Sequence, residues 1–314
     1  MTAVLHRSGV VGATLAVVLV VGMPSASADD LADMLDRSHG STYSATRLTV
    51  SVWADQTKVT KERVEHVDGA EMIRVDETWS MVGNGRSVRM GEAPEGIAFM
   101  AESEPIATDR YVLGDATACS HMRRPCTLFP IVEGDLTRAH VIVDDRTGAP
   151  LITYIYDDAG RTFRTISLSD FSPHRTYEWS SDPSVVPYEV VMQADPDVVP
   201  SAIAEYALVD VFPGPSDRSE QGFYSDGLFT FSLFALPSGT VVGGFEDQQS
   251  LVTPSGVYDA TLTAANVRVR WISGGTAYVL VGDLPPDHLE AVLAELPPPT
   301  KAGMLARFWR ALFG

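Results

Sequence analysis

Between Gly222 and Phe234 the chain reads Gly-Phe-Tyr-Ser-Asp-Gly-Leu-Phe-Thr-Phe-Ser-Leu-Phe, with an apolar residue at every second position after the Ser-Asp-Gly triplet. Alternation at period two commits a segment to β-strand, because successive side chains of a strand point to opposite faces. Phe229, Phe231 and Leu233 then share one face, and Thr230, Ser232 and Phe234 the other. Asp226 and Gly227 supply the turn residues that start the run. A chain holding this segment must provide a sheet for it to join and a core for its aromatic face.

The same signal recurs along the sequence. Strands are expected at 43–54 and 57–67, then at 72–82 and 87–90 around the hairpin residues Gly83-Asn84-Gly85, and at 97–101. A meander follows at 127–132, 140–144, 151–157 and 162–168, separated by Glu133-Gly134-Asp135, Thr147-Gly148-Ala149-Pro150 and Asp158-Ala159-Gly160. Later strands are expected at 205–212, 222–236, 257–264, 266–272 and 276–282. Helices are few. Leu31, Met34 and Leu35 are spaced for a short one over 30–38, and Leu289, Val292, Leu293 and Leu296 form a core-facing stripe over 286–296. Proline suits the first turn of the latter, which follows Asp283-Leu284-Pro285-Pro286. The fold class is therefore mainly β with an α+β second part. Pro173, Pro183, Pro187, Pro196 and Pro200 block strand pairing and mark a linker over 173–200 between a first domain at 29–172 and a second at 201–297.

Residues 1–28 have the layout of a secretory signal: His6 and Arg7, an apolar run from Val10 to Val21, and small residues at Ala26 and Ala28. Cleavage is expected before Asp29, with export to the periplasm or cell envelope. No Cys stands at that point, so lipidation is not expected. The formal net charge of -18 includes Arg7, so its removal leaves -19. Such acidity repels phosphate backbones and argues against nucleic-acid binding. The two cysteines, Cys119 and Cys126, are an even and nearby pair. In an oxidising compartment they are expected to bridge, for about 2 to 3 kcal/mol by loop entropy. A zinc site needs two further ligands that no neighbouring cluster provides.

Chemistry-bearing motifs are missing. The seven His are scattered, no His-Glu-x-x-His, Gly-x-Ser-x-Gly or phosphate loop occurs, and neither a metal nor another cofactor is expected. Asp144-Asp145, Asp157-Asp158 and Asp195-Pro-Asp197 read as turn and capping groups rather than calcium ligands. The chain is not expected to be an enzyme. At the end, Pro297-Pro298-Pro299 precedes Met304, Leu305, Phe308, Trp309, Leu312 and Phe313 on one helical face, with Arg307 and Arg310 toward the other. That amphipathic tail over 298–314 suits either an anionic membrane surface or docking on protein.

Two segments resemble a known family. Tyr224-Ser225-Asp226-Gly227-Leu228-Phe229-Thr230-Phe231 resembles the second-domain hallmark of the RseB/MucB family of sigma-E factor regulators, and Val281-Gly282-Asp283-Leu284-Pro285-Pro286 resembles that family's closing segment. Val143-Asp144-Asp145-Arg146-Thr147-Gly148-Ala149-Pro150-Leu151 is similar to a pattern of its first domain. The resemblance implies a LolA/LolB-like N-terminal domain, an unclosed antiparallel β-barrel plugged by helices, followed by a smaller α+β domain. It implies an exported negative regulator of an envelope-stress sigma factor. Such a regulator binds the extracytoplasmic part of a membrane anti-sigma factor, shields it from proteolysis and is released by a lipidic ligand. Tyr43, Trp53, Val64 and Trp79 are then candidates for the cavity wall, although Trp53 and Trp79 equally suit a simple core. Tyr224, Ser225, Asp226, Gly227, Phe229 and Phe231 are the second-domain module. The alternative from the same resemblance is a LolA-like lipid or lipoprotein carrier using the first domain alone.

Overall fold

The computed structural model describes residues 28–54, 56–67, 70–75, 78–83, 86–90, 110–173, 200–213, 220–237 and 248–300. The expected signal, the strand at 97–101, most of the linker and the tail with Arg307, Phe308, Trp309 and Arg310 lie outside the described residues. Helix α1 (Ala28–His39) comes first. The first sheet is built from β1 (Thr42–Trp53), β2 (Gln56–Val67), β3 (Ala70–Val75), β4 (Thr78–Gly83), β5 (Arg86–Met90), β6 (Tyr111–Leu113), β7 (Thr117–His121), β8 (Arg124–Glu133), β9 (Leu136–Asp144), β10 (Pro150–Tyr156) and β11 (Thr162–Pro173). Its antiparallel order is β5-β4-β3-β2-β1-β11-β10-β9-β8-β6, with β7 paired to β8, and it does not close. The second sheet follows: β12 (Ala202–Ile203), β13 (Tyr206–Pro213), β14 (Glu220–Ser225), β15 (Thr230–Pro237), β16 (Gln249–Thr253), β17 (Gly256–Leu262), β18 (Val267–Ser273) and β19 (Thr276–Gly282), then α2 (Pro286–Glu295). Its order is β12-β13-β14-β15-β19-β18-β17-β16.

Two expectations need correction. The run at 222–236 is a hairpin, β14 and β15, because Asp226-Gly227 lies inside the alternation and reverses the chain; Tyr224 pairs with Phe231 across it. Likewise 72–82 divides into β3 and β4, with Val75 opposite Thr78. The strands β6, β7, β12 and β16 were not anticipated; most are short, and β7 and β16 carry little apolar alternation for a pattern to register.

Cys119 and Cys126 are directly paired residues of β7 and β8 and form a disulfide. Turn chemistry accounts for two of the acidic pairs. Asp144 accepts from the N–H and hydroxyl of Thr147 at 3.0 and 2.7 Å and takes a bidentate Arg124. Asp157 accepts the N–H groups of Ala159 and Arg161.

One buried cluster is common to both sheets. It contains Leu31 and Met34 of α1, Trp53, Ile131, Val141 and Ile155 of the first sheet, Tyr224, Phe229, Phe231 and Leu280 of the second part, and Leu289, Val292 and Leu293 of α2. Each such side chain removed from water contributes roughly 1.5–3 kcal/mol, so this shared core stabilises the two sheets together. Tyr43, Ala45, Val64, Ala149 and Leu168 form a separate, smaller cluster.

Candidate functional site

The Ser225-Asp226-Gly227 triplet uses each of its residues. The Asp226 carboxylate is fully buried, and its Oδ1 accepts the backbone N–H groups of Leu228 at 3.0 Å and Phe229 at 2.7 Å. Ser225 Oγ accepts the N–H of Gly227 at 3.0 Å. Gly227 sits at φ 94°, a conformation that a Cβ makes costly. The result is a turn whose second carboxylate oxygen points away from its own strand.

That oxygen is met by the first sheet. Tyr111, 1% exposed at the start of β6, donates its hydroxyl to Asp226 Oδ2 at 2.7 Å, and Arg110 Nη1 stands 3.4 Å from the same atom. The guanidinium of Arg110 also donates from Nε to Glu133 Oε1 at 2.7 Å and lies 5.7 Å from the Tyr206 ring centre. Glu133 is bound in turn by Arg138, whose Nη1 is 2.8 Å from Asp287 Oδ2 in the first turn of α2. Positive and negative groups therefore alternate across the junction: Asp287, Arg138, Glu133, Arg110, Asp226. His288 lies among them, 3% exposed, with Nδ1 2.7 Å from Tyr206 Oη and Nε2 3.3 Å from Arg110 Nη2.

The second motif makes a parallel contact. Asp283 Oδ1 accepts the N–H of Thr230 at 2.7 Å, directly after the Phe229 N–H held by Asp226, so the two motifs grip adjacent residues at the start of β15. A Cβ on Gly282 would lie 2.6 Å from Phe231 Cβ, which requires glycine there. Arg164 of β11, 2% exposed, donates from Nη1 to the Asp283 carbonyl at 2.9 Å and from Nε to Ser51 Oγ at 2.8 Å. Ser51 donates to the Ala264 carbonyl, and the Trp53 indole N–H donates to Thr263 O at 2.9 Å. Both family-like motifs are thus sockets for residues of the first sheet.

Electrostatics follows from this packing. Burial alone pushes the Glu133 carboxyl up, but hydrogen bonds from His288, Arg138 and Arg110 outweigh it and hold it well below the usual carboxylate range. Burial, reinforced by Asp226, drives the Tyr111 and Tyr206 hydroxyls far above the usual phenol value. Burial also raises Tyr224 to about 12, its hydroxyl being tied to Pro200 O at 2.8 Å. Asp283 is raised by burial, with Arg164 opposing. Phenols held this far from neutrality do not exchange protons readily, and both nitrogens of His288 are engaged. The arrangement holds two sheets in one relation through buried polar contacts.

Among the cavity candidates, Tyr43 and Val64 share one cluster and Trp53 lies in another. Tyr43 stacks on His66 at 4.9 Å and shares the small cluster with Val64. Trp53 packs edge-on to Phe163 at 4.7 Å, inside the common core. Trp79 lies in β4, and its side chain is outside the described residues. Tyr224, Phe229 and Phe231 do come together, Tyr224 stacking on Phe231 at 4.8 Å.

No family model matches this chain, and no curated protein matches it. Solved structures do. The complex structure of Pseudomonas aeruginosa MucA/MucB covers 86% of this chain and 99% of that chain at 17% identity, with a TM-score of 0.48. The crystal structure of MucB in complex with MucA(peri) covers 87% and 99%, again at 17% identity and TM-score 0.48. The crystal structure of MucB covers 86% and 98% at 19% identity, with a TM-score of 0.43. The chain is similar to MucB. The two sequence motifs resemble the family that carries the same name.

Sequence reading missed Arg110, Tyr111, Glu133, Arg138, Tyr206 and His288. One signal was available: His288 stands four residues before Val292 and so falls on the apolar stripe of α2, where an ionisable group needs buried partners. The arginines carried none, because the partners that Arg110 and Arg138 reach across the junction, Asp226 and Asp287, are distant in sequence.

Proposed function

We propose that this chain is an exported, non-catalytic regulator of the RseB/MucB type. It holds the extracytoplasmic segment of a membrane-anchored anti-sigma factor, shields it from proteolysis and lets go when a lipidic ligand engages the first sheet. The observation that carries this reading is the junction: Tyr111 and Arg110 reach Asp226, and Arg164 reaches Asp283, so both motifs of the resemblance are occupied by first-sheet side chains. A regulator needs ligand occupancy of one sheet to be felt by the other, and buried, directional polar contacts transmit a displacement that a soft apolar contact would absorb. A carrier working through the first sheet alone has no use for such a coupling.

The test uses residues 29–314 and the extracytoplasmic segments of the host's anti-sigma factors. One segment should bind in a titration and be cleaved more slowly by its site-1 protease while bound. Absence of binding to any of them, together with stoichiometric lipid co-purifying, would decide for a carrier.

A further inference from the structure

The β1–β2 hairpin leaves part of an edge open. β2 pairs with β1 from Gln56 to Val67, but with β3 only from Arg63 to Val67. Among the described residues, no strand pairs with the outer edge of residues 56–62. The open stretch is bounded at one end by β3 and at the other by Gln56, whose amide donates to Gln249 of β16 at 2.7 Å. Seven residues of strand span about 23 Å. Trp53 and Gln56 flank a two-residue loop and so exchange both hydrogen bonds; alternation from that pair directs the N–H and C=O groups of Thr57, Val59 and Lys61 toward the open side.

Beside this edge lies an apolar shelf. Val59 is 60% exposed, and its cross-strand partner Val50 and the neighbouring Leu48 and Val52 lie on the same face, the last two 38% and 43% exposed. The charge of the edge is unlike that of the rest of the chain. The sequence has three lysines against 20 arginines, at a net charge of -18, and two of the three, Lys58 and Lys61, stand on these seven residues. Lysines on an open edge repel a second copy of the same edge. The same charges attract an acidic strand, and the unpaired backbone supplies its hydrogen bonds.

We propose that residues 56–62 are a docking edge for an extended, acidic peptide segment, which adds to the first sheet as one more strand and lays its apolar side chains beside Val59. The surface is independent of the regulator reading: it is defined by backbone and charge, whatever protein supplies the segment. Lys58 shares the face of Ser51, and Lys61 that of Leu48 and Val59, so the probe is a blocked nine-residue peptide with glutamates on both faces and a valine opposite Val59, titrated against residues 29–314 by fluorescence anisotropy at low and at physiological salt.

Binding should weaken as salt rises, and amide exchange should slow at Thr57, Val59 and Lys61. The double variant Lys58→Glu/Lys61→Glu should lose at least tenfold in affinity and regain it toward a peptide with lysine in place of glutamate. Val59→Pro removes an N–H that points to the open side, so it should abolish binding while far-ultraviolet circular dichroism stays unchanged. Unchanged affinity in the charge-reversed variant, or slowed exchange elsewhere only, overturns the proposal. So does a lack of peptide binding combined with self-association of Lys58→Val/Lys61→Val, which would reduce the lysines to guards of the edge.

Discussion

Tyr111→Phe removes a single hydroxyl from the junction and leaves its packing in place. The Tyr111 ring meets Phe229 edge-on at 6.4 Å, and phenylalanine keeps that contact. What is lost is a 2.7 Å hydrogen bond to a carboxylate that is fully buried, from a side chain 1% exposed. Hydrogen bonds to charged groups contribute about 1.5–3 kcal/mol. Arg110 Nη1, 3.4 Å from the same oxygen, takes up part of the loss, which puts the expected cost near 2 kcal/mol, about 30-fold in the folding equilibrium. With an m-value of about 3 kcal/mol/M in urea, the midpoint should fall by about 0.7 M. Tyr156→Phe is the control. Its hydroxyl meets His140 Nδ1 at 2.9 Å in a half-buried pair, worth about 0.5–1 kcal/mol. Hydrogen exchange at the Phe229 amide, held by Asp226, should quicken in Tyr111→Phe and not in the control. Equal losses in the two variants, or a loss below about 0.5 kcal/mol in Tyr111→Phe, would refute the view that Asp226 depends on the first sheet.

Glu133 gives the junction an acid limit. Its folded carboxyl lies below its unfolded value of about 4.3, so the stability it contributes is present above that pH and is lost as the pH falls through and below it. Glu133→Gln should cost about 2 kcal/mol at pH 7 and flatten the decline in urea stability below pH 5; a decline as steep as in the parent would contradict this. Gly282→Ala forces a Cβ to within 2.6 Å of Phe231 Cβ and 2.7 Å of Thr230 O, so β15 and β19 must part, for about 2–3 kcal/mol. Gly275→Ala in the hairpin after β18 has open space but φ 88°, for about 1 kcal/mol. Melting temperatures should rank the two in that order, and the reverse would show that the β15–β19 contact yields freely.

Much of the strand content was legible because period-two alternation is local. The strands β1, β2, β8 to β11 and β17 to β19 lie close to where Val, Ile, Thr and aromatic residues alternate between turns. The hairpin at 222–236 was misread for a physical reason. Phe223, Phe229, Phe231 and Leu233 share one parity in the sequence and read as the face of a single strand, whereas the turn at Asp226-Gly227 sets Phe223 opposite Ser232 and Tyr224 opposite Phe231. Tyr224, Asp226 and Phe231 were singled out, but their partners were not. Arg110 and Asp226 are 116 residues apart, Arg164 and Asp283 are 119, and charge complementarity across such distances leaves no trace in spacing.

Because one core serves both sheets, the length of the covalent link between them has little thermodynamic weight. Closing a loop costs only about 0.6 kcal/mol more for each doubling of its length. Residues 174–199 should therefore accept long insertions, and a chain cut there should reassemble from two separately made pieces. The Tyr111–Asp226 and Arg164–Asp283 contacts would become the recognition code of a heterodimer, and the protein a natural scaffold for fragment complementation.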